Sequence, residues 1–129
     1  KESRWNNHRA GIYFLSLWLI GLIFFSVPRA PPSNIVAINT SSTSLRVDWG
    51  EVSFPDQLGI IRGYRLIMWR TNHSAVILRN ITILVPTRTF SLLGLEKYTN
   101  YTIQVSAFTI KGEGIKSEPT IAITDEDGK

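Results

Sequence analysis

The 129-residue chain contains no cysteine, and this absence removes two structural options at once. Without cysteine the protein has no disulfide framework, and no zinc site built on thiolate ligands is available to it. The length accommodates one ordinary domain and an appendage. A domain of roughly 95 residues can be stable on its hydrophobic core alone, so secretion stays open without disulfides.

Histidine is also scarce, and the residues of a catalytic centre do not come together in the sequence. The chain has only two histidines, His8 and His73, and no glycine-rich phosphate loop follows a predicted strand. Paired carboxylates occur in the acidic tail at residues 125–127, where a solvated run of charge is the simpler interpretation. We therefore expect no enzyme activity, no cofactor, no metal ion and no small-molecule substrate.

The sequence also lacks a strong charge of one sign in the part that folds. The net charge of the whole chain is +4, from 14 basic and 10 acidic residues. Removing the residues before Pro31 leaves ten basic and nine acidic residues, a net charge of +1. The charged residues before Pro31 are Lys1, Arg4, Arg9, Arg29 and Glu2. No basic stripe remains, and we expect no nucleic-acid partner.

The first 27 residues form a leader with a basic beginning and an uncharged centre. Residues 1–9 are polar and basic, and residues 10–27 contain no charged side chain. As a helix the uncharged segment would be about 27 Å long, close to the ~30 Å of a membrane's hydrocarbon core. Three interpretations stay open: a signal peptide or signal anchor, a transmembrane segment, or a mis-joined piece foreign to the domain. In both membrane interpretations the domain is exported.

Alternation of apolar and polar residues predicts seven short β-strands after the leader. The clearest run lies at residues 101–107, where every second side chain is apolar. A second run places Leu45, Val47 and Trp49 on one face of a strand. The predicted strands are residues 34–39, 44–49, 59–69, 75–78 continued by 81–85, 87–92, 101–107 and 118–124. We therefore divide the chain into a leader (1–27), a domain (28–124) and the beginning of a linker (125–129).

The third predicted strand has apolar residues on both faces. Tyr64, Leu66 and Met68 would point inward, which leaves Ile67 and Trp69 on the outside. Apolar side chains on a solvent face suggest cover from a neighbouring strand or from a partner. We assign this cover to the next strand.

A short polar crossing separates Leu95 from Tyr101. A tyrosine that begins a strand after such a crossing, with its ring buried and its hydroxyl bonded back to the crossing, is the tyrosine corner of Greek-key sandwiches. We expect Trp49, Tyr64, Leu95 and Tyr101 to be structural core residues, because each lies on the apolar face of its strand or at the corner.

Taken in order, these features resemble those of the fibronectin type III family. The resemblance covers residues 27–127 and implies an all-β fold, a seven-stranded, immunoglobulin-like Greek-key sandwich preceded by an apolar N-terminal helix. It also implies a role in binding and spacing. The features that carry it are Pro28-Arg29-Ala30-Pro31-Pro32, Trp49, the segment 59–66, the corner at Tyr101 and the hairpin Gly112-Glu113-Gly114.

Two ligand motifs of the wider family are absent from this sequence. The hairpin that carries Arg-Gly-Asp in integrin-binding members reads Lys111-Gly112-Glu113-Gly114 here. The Trp-Ser-x-Trp-Ser motif of class I cytokine receptors is replaced by the sequence of residues 114–118. We therefore expect neither integrin binding through this hairpin nor the activity of a class I cytokine receptor.

Four Asn-x-Ser/Thr acceptors for N-glycosylation lie after the leader, at Asn39, Asn72, Asn80 and Asn100. About one would be expected by chance from this composition, although threonine-rich strands also produce accidental matches. We expect Asn39 and Asn72 to be the preferred acceptors, because both lie in predicted turns. Asn100, beside the corner tyrosine, is expected to be crowded by the fold.

These observations predict a non-enzymatic, extracellular interaction and spacer module of a cell-surface adhesion or signalling receptor. Neural-adhesion molecules and receptor tyrosine phosphatases are the proteins that it resembles. The expected partners are other extracellular proteins or neighbouring type III domains, and the membrane through residues 10–27. The alternative is a module of an extracellular matrix protein, which the sequence beyond Lys129 would distinguish. A cytoplasmic module is disfavoured by the leader and the acceptors.

Overall fold

The computed structural model describes residues 26–126. The predicted N-terminal helix lies outside the described residues, as does most of the leader. Of the predicted linker, the structure describes residues 125 and 126.

Eight strands and one short helix make up the described chain. They are β1 (Val36–Ser41), β2 (Ser44–Asp48), α1 (Phe54–Gln57), β3 (Gly63–Arg70), β4 (Arg79–Leu84), β5 (Thr89–Leu92), β6 (Asn100–Thr109), β7 (Gly112–Glu113) and β8 (Thr120–Ile123). One sheet has the order β1-β2-β5, and the other has the order β4-β3-β6-β7, with β8 also paired to β6. All of these pairs are antiparallel. The predicted all-β sandwich is therefore confirmed.

The eighth strand is β7, which lies before the last predicted strand, in the hairpin predicted at Gly112-Glu113-Gly114. Both β7 and β8 pair with the same edge of β6, at Phe108↔Glu113 and Ile103↔Thr120. Between them, Ser117 bonds to Val105 through its backbone N–H and also accepts from the backbone N–H of Val105 with its hydroxyl, at 3.0 Å. This side chain takes over the place of a ladder bond, and Pro119 beside it has no N–H to donate.

Three local predictions are corrected by the structure. Residues 75–78 form a turn and loop before β4, with Val76 N–H bonded to His73 O at 3.1 Å. Asn39 lies within β1, because the strand continues to Ser41 and the turn falls at residues 42 and 43. The predicted loop at residues 50–59 contains α1, which begins next to a proline and ends at Leu58 in a left-handed conformation.

The core lies between the two sheets. The inward side chains of β2, β3 and β6 are all buried, and in β6 the outward Thr102 and Ser106 are buried as well. Trp49 follows β2 and meets the ring of Tyr64 edge to face, with ring centroids 5.4 Å apart and an interplanar angle of 66°. Burial raises the pKa of Tyr64 above its ordinary value. The two aromatic rings therefore join the two sheets beside the beginning of β3.

The corner between β5 and β6 is fixed by hydrogen bonds. Tyr101 is buried, and its hydroxyl oxygen accepts the backbone N–H of Glu96 at 2.9 Å. The hydroxyl of Thr124 donates to Glu96 O at 2.7 Å and accepts the N–H of Thr99 at 3.0 Å. Leu95 is also buried, and its N–H bonds to Thr43 O beside the paired strands β2 and β5 at 2.9 Å. The crossing is thus tied to both neighbouring segments.

Replacing the corner tyrosine by phenylalanine tests the hydroxyl alone. Tyr101→Phe keeps the buried ring and removes the acceptor for Glu96 N–H, so we expect the free energy of unfolding to fall by about 0.5–1.5 kcal/mol. The measurement is urea unfolding followed by far-UV circular dichroism. Tyr98→Phe, at an exposed tyrosine, is the control and should leave the midpoint in place. A Tyr101→Phe midpoint equal to that of the parent would contradict this account of the corner.

Candidate interaction surfaces

Loops gather at two ends of the sandwich. At one end, called the N-terminal pole, β3 begins at Gly63 opposite Phe108 near the end of β6. At the other end, called the C-terminal pole, β3 ends at Arg70 opposite Tyr101. The loops before β3 and after β6 therefore share the N-terminal pole, and the loops after β3 and before β6 share the C-terminal pole.

Residues 26–29, called the strap below, are bonded across the N-terminal pole. The backbone N–H of Ser26 donates to Leu58 O at 2.6 Å, and Ser26 O accepts the hydroxyl of Thr109 at 2.7 Å. Arg29 bonds to Asp56 through its backbone N–H at 2.8 Å and through its guanidinium at 2.9 Å. The strap is therefore held by the loop before β3 on one side and by the end of β6 on the other.

Close packing of Pro28 completes the strap. Pro28 is fully buried, and a Cβ atom placed on Gly114 would lie only 2.4 Å from its carbonyl oxygen. A Cβ atom on Gly112 would meet Val27 at 3.4 Å. Ser26 and Val27, which the sequence analysis placed in the leader, therefore contact the sandwich.

An apolar rim surrounds the strap at the N-terminal pole. A cleft of about 150 Å³ is lined there by Gly59, Ile60, Arg62, Thr109, Ile110 and Lys111. Phe54 on α1 and Ile110 at the tip of the hairpin are 76% and 71% exposed. Large exposed apolar side chains around a cleft are typical of a surface that meets another protein.

The C-terminal pole has a second apolar surface. A cavity of about 160 Å³ is lined by Arg70, His73, Val76 and Leu78. Leu93 and Tyr98, which precede β6, are 62% and 65% exposed. The backbone N–H of Tyr98 bonds to Asp125 O at 3.1 Å, so these side chains lie where the chain leaves the sandwich.

The third surface is the side of β3, β4 and β6 that faces away from the core, called the outer face below. Ile67 and Trp69 lie on it and are only partly buried. The strand β4 pairs beside β3 and does not cover these side chains, since Ile67 is opposite Asn80 on β4 and Gln104 on β6. The predicted cover by the next strand is therefore wrong, because that strand extends the same sheet.

All four glycosylation acceptors are exposed, but their surroundings differ. The amide nitrogen of Asn39 donates to Ile123 O at 3.2 Å. Asn100 is followed two residues later by Thr102, which is buried and bonded to the hydroxyl of Thr71 at 3.0 Å. An acceptor motif needs a free asparagine amide and a free serine or threonine hydroxyl. In the folded protein, the amide of Asn39 and the hydroxyl that follows Asn100 are each already hydrogen-bonded.

Asn72 and Asn80 have both groups accessible. Asn72 lies in the turn after β3, and Asn80 lies within β4. The second residue after each, Ser74 or Thr82, is exposed as well. No hydrogen bond involves the amide nitrogen of either asparagine within residues 26–126.

The fold brings together the residues that the sequence predicted to be in the core. Trp49, Tyr64, Leu95 and Tyr101 are all buried. Across the described part of the chain, no group of three histidine or acidic side chains is placed to hold a metal ion. The apolar residues of the two poles were not predicted as a surface, although Phe54 and Ile110 stand out as large apolar residues inside predicted loops.

Comparison with known proteins agrees with this architecture. Human cell adhesion molecule DSCAM is 40% identical to the chain over 122 residues, which are 93% of this chain and 6% of DSCAM. Rat phosphatidylinositol phosphatase PTPRQ is 39% identical over 102 residues, 79% of this chain and 4% of PTPRQ. The chain thus spans less than a tenth of the length of either relative.

A solved structure and a family model give the same result for the fold. The crystal structure of the chicken CNTN1 FN1–FN3 domains matches with a TM-score of 0.67 and 25% identity, over 77% of this chain and 33% of that one. The family model of the fibronectin type III domain matches residues 30–123. The chain belongs to the fibronectin type III family.

Proposed function

We propose that the domain is an extracellular, non-enzymatic module that stands in a row of modules in a cell-surface adhesion or receptor protein. The observation that carries the proposal is that large exposed apolar side chains lie at both poles of the sandwich, Phe54 and Ile110 at one and Leu93 and Tyr98 at the other. A module in a row meets neighbours at its two ends, and partly apolar ends are what such contacts require.

The relatives support this role. They are a cell adhesion molecule and a phosphatidylinositol phosphatase, and the chain corresponds to a small part of each. In the CNTN1 fragment the chain matches one third of a three-domain structure. A phosphatase activity elsewhere in a relative does not pass to a sandwich of this kind, because the described residues bring no catalytic constellation together.

The extracellular location is proposed from the leader and the glycosylation acceptors. Residues 1–25 lie outside the described part of the chain, so the membrane role of residues 10–27 rests on the sequence. Within residues 26–126, none of the helices has the length and apolar character needed to cross a bilayer. Because Ser26 and Val27 contact the sandwich, we place the beginning of the domain at residue 26 and its end at residue 124.

The C-terminal pole gives the clearest test of the row. We expect the domain to melt at a higher temperature when it is expressed together with the module that follows it in the parent protein. Leu93→Ser combined with Tyr98→Ser should remove that gain, because both exposed side chains lie where the chain leaves the sandwich. The measurement is differential scanning calorimetry of the single module and of the pair.

The control is Ile38→Ser, an exposed apolar residue near the middle of β1 and away from both poles. It should leave the gain intact, and none of the three substitutions should change the melting of the single module. A pair that melts at the same temperature as the single module would contradict a contact at this pole.

A further inference from the structure

The outer face leaves two apolar side chains without cover. Ile67 and Trp69 project from β3 on the side away from the core, and each is partly exposed. The described residues place no further strand or loop over them, since the sheet continues sideways to β4 and β6. Contiguous apolar side chains on a solvent face indicate that another group packs on them. Ile67 and Trp69 are called the strip.

A glycosylation acceptor lies directly beside this strip. Asn80 is the cross-strand partner of Ile67, and side chains in that relation stand about 5 Å apart on the same face of a sheet. Trp69 is the diagonal neighbour on one side and Arg65 is the diagonal neighbour on the other, each at roughly 7–8 Å. The acceptor, Ile67 and Trp69 thus form one continuous surface.

The orientation of the acceptor amide favours the side of Trp69. The guanidinium of Arg65 donates to the amide oxygen of Asn80 at 3.5 Å. Because the oxygen and nitrogen of an amide lie on opposite sides of its axis, the nitrogen then points away from Arg65. This nitrogen is the atom to which a sugar is attached, and it has no hydrogen bond within residues 26–126.

Charged neighbours hold Arg65 in place on the outer face. Glu113 lies 3.6 Å from Arg65 Nε, and Lys116 lies 3.4 Å from the other carboxylate oxygen of Glu113. Arg65 is therefore held between Asn80 on β4 and Glu113 on β7, and it lies on the side of Ile67 away from Trp69.

We propose that Asn80 carries an N-linked glycan and that its first N-acetylglucosamine lies on Ile67 and Trp69. One face of this sugar is formed by C–H groups and packs well on an aromatic ring, while its hydroxyls and acetamido group remain in water. The inference rests on the proposed export of the domain, since the glycan is attached in the secretory pathway. It assigns Asn80, and not Asn39, as the acceptor with a structural role.

The glycan would also protect an edge of the sheet. β4 is the last strand of its sheet, and its outer edge carries unpaired backbone groups that could pair with another chain. A bulky, hydrated group rooted at the second residue of β4 hinders the approach of another strand to the beginning of this edge. The same modification therefore covers the apolar strip and hinders edge-to-edge association.

The experiment uses the full chain expressed in a secreting eukaryotic cell. Site occupancy is measured by mass spectrometry of peptides after amidase treatment in ¹⁸O-labelled water. Thr82→Ala removes the acceptor motif and keeps Asn80 itself, and Thr82→Ser keeps the motif as the matched control. We expect Asn80 to be occupied in the parent and in Thr82→Ser, and unoccupied in Thr82→Ala.

Thermal melting then tests the contact. All samples carry Asn72→Gln, so that the second accessible acceptor does not contribute, and an endoglycosidase trims each glycan to its first sugar. We expect the trimmed protein to melt higher than its Thr82→Ala counterpart by on the order of 4 °C for this size of domain. In a Trp69→Thr background the same comparison should give a difference close to zero.

The outcomes distinguish failure of the proposed export from failure of this inference. If no acceptor is occupied in any sample, the proposed export and this inference both fail. If Asn72 is occupied in the parent chain while Asn80 is not, export stands and the inference is overturned. If Asn80 is occupied but the melting difference is unchanged by Trp69→Thr, the contact with the strip is overturned.

Discussion

Trp49→Ala is expected to lower the free energy of unfolding by about 3–5 kcal/mol, the usual effect of emptying a buried aromatic site. Trp49 is only 5% exposed, and its ring meets Tyr64 between the two sheets. Its indole nitrogen is buried without a hydrogen-bond partner in the described structure, so the loss comes from packing alone. Equilibrium urea unfolding, monitored by far-UV circular dichroism, measures the change.

The control for this substitution is Phe54→Ala, because Phe54 is a large aromatic residue that lies exposed on α1. It should shift the unfolding midpoint only slightly. A Trp49→Ala protein with the midpoint of the parent would show that the ring does not hold the sheets together. Trp49 would then have to be assigned a role other than core packing.

Gly63→Ala should cost about 1–3 kcal/mol, although it adds only one methyl group. A Cβ atom at Gly63 would lie 2.6 Å from Ile83 O on β4 and 2.7 Å from the ring of Phe108 on β6. The backbone of Gly63 is not in the left-handed region, so the penalty is steric. Since β3 lies between β4 and β6, it cannot move away from one without pressing on the other.

A double substitution separates the two contacts. Phe108→Ala in the Gly63→Ala background removes the ring contact and leaves the carbonyl of Ile83 in place. We expect the second substitution to be less harmful in this background than in the parent, as measured by a double-mutant cycle of urea midpoints. Ser91→Ala on β5, at an exposed strand position, is the control. Additive effects within error would contradict the steric account.

Much of the fold was predictable because a strand that is buried on one face has an apolar residue at every second position of its sequence. The inward positions of β3 and β6 follow that pattern, and so does the corner at Tyr101. The pattern misled at residues 75–78, where consecutive apolar residues resemble a strand but lie exposed in a loop. Apolar content alone does not distinguish a buried strand from an apolar surface loop.

Other features depend on contacts between distant segments and could not be predicted from the sequence. The interruption between β7 and β8 depends on how Ser117 bonds to Val105, twelve residues away. The accessibility of the four acceptors likewise depends on partners far along the chain, since Asn39 bonds to Ile123 O. The sequence identifies an acceptor, and tertiary structure decides whether it is free.

The strap changes how the domain would respond to tension along its length. The chain enters at one pole and leaves at the other, so a pull on its two ends acts along the strands. Before that pull reaches β1, it must separate Ser26 from Leu58 and Thr109 and break the paired contacts between Arg29 and Asp56. These bonds anchor the incoming chain to the loop before β3 and to the end of β6, not to β1 itself. The strap therefore diverts force into the central strands of the larger sheet and shields the edge strand β1 from being peeled away.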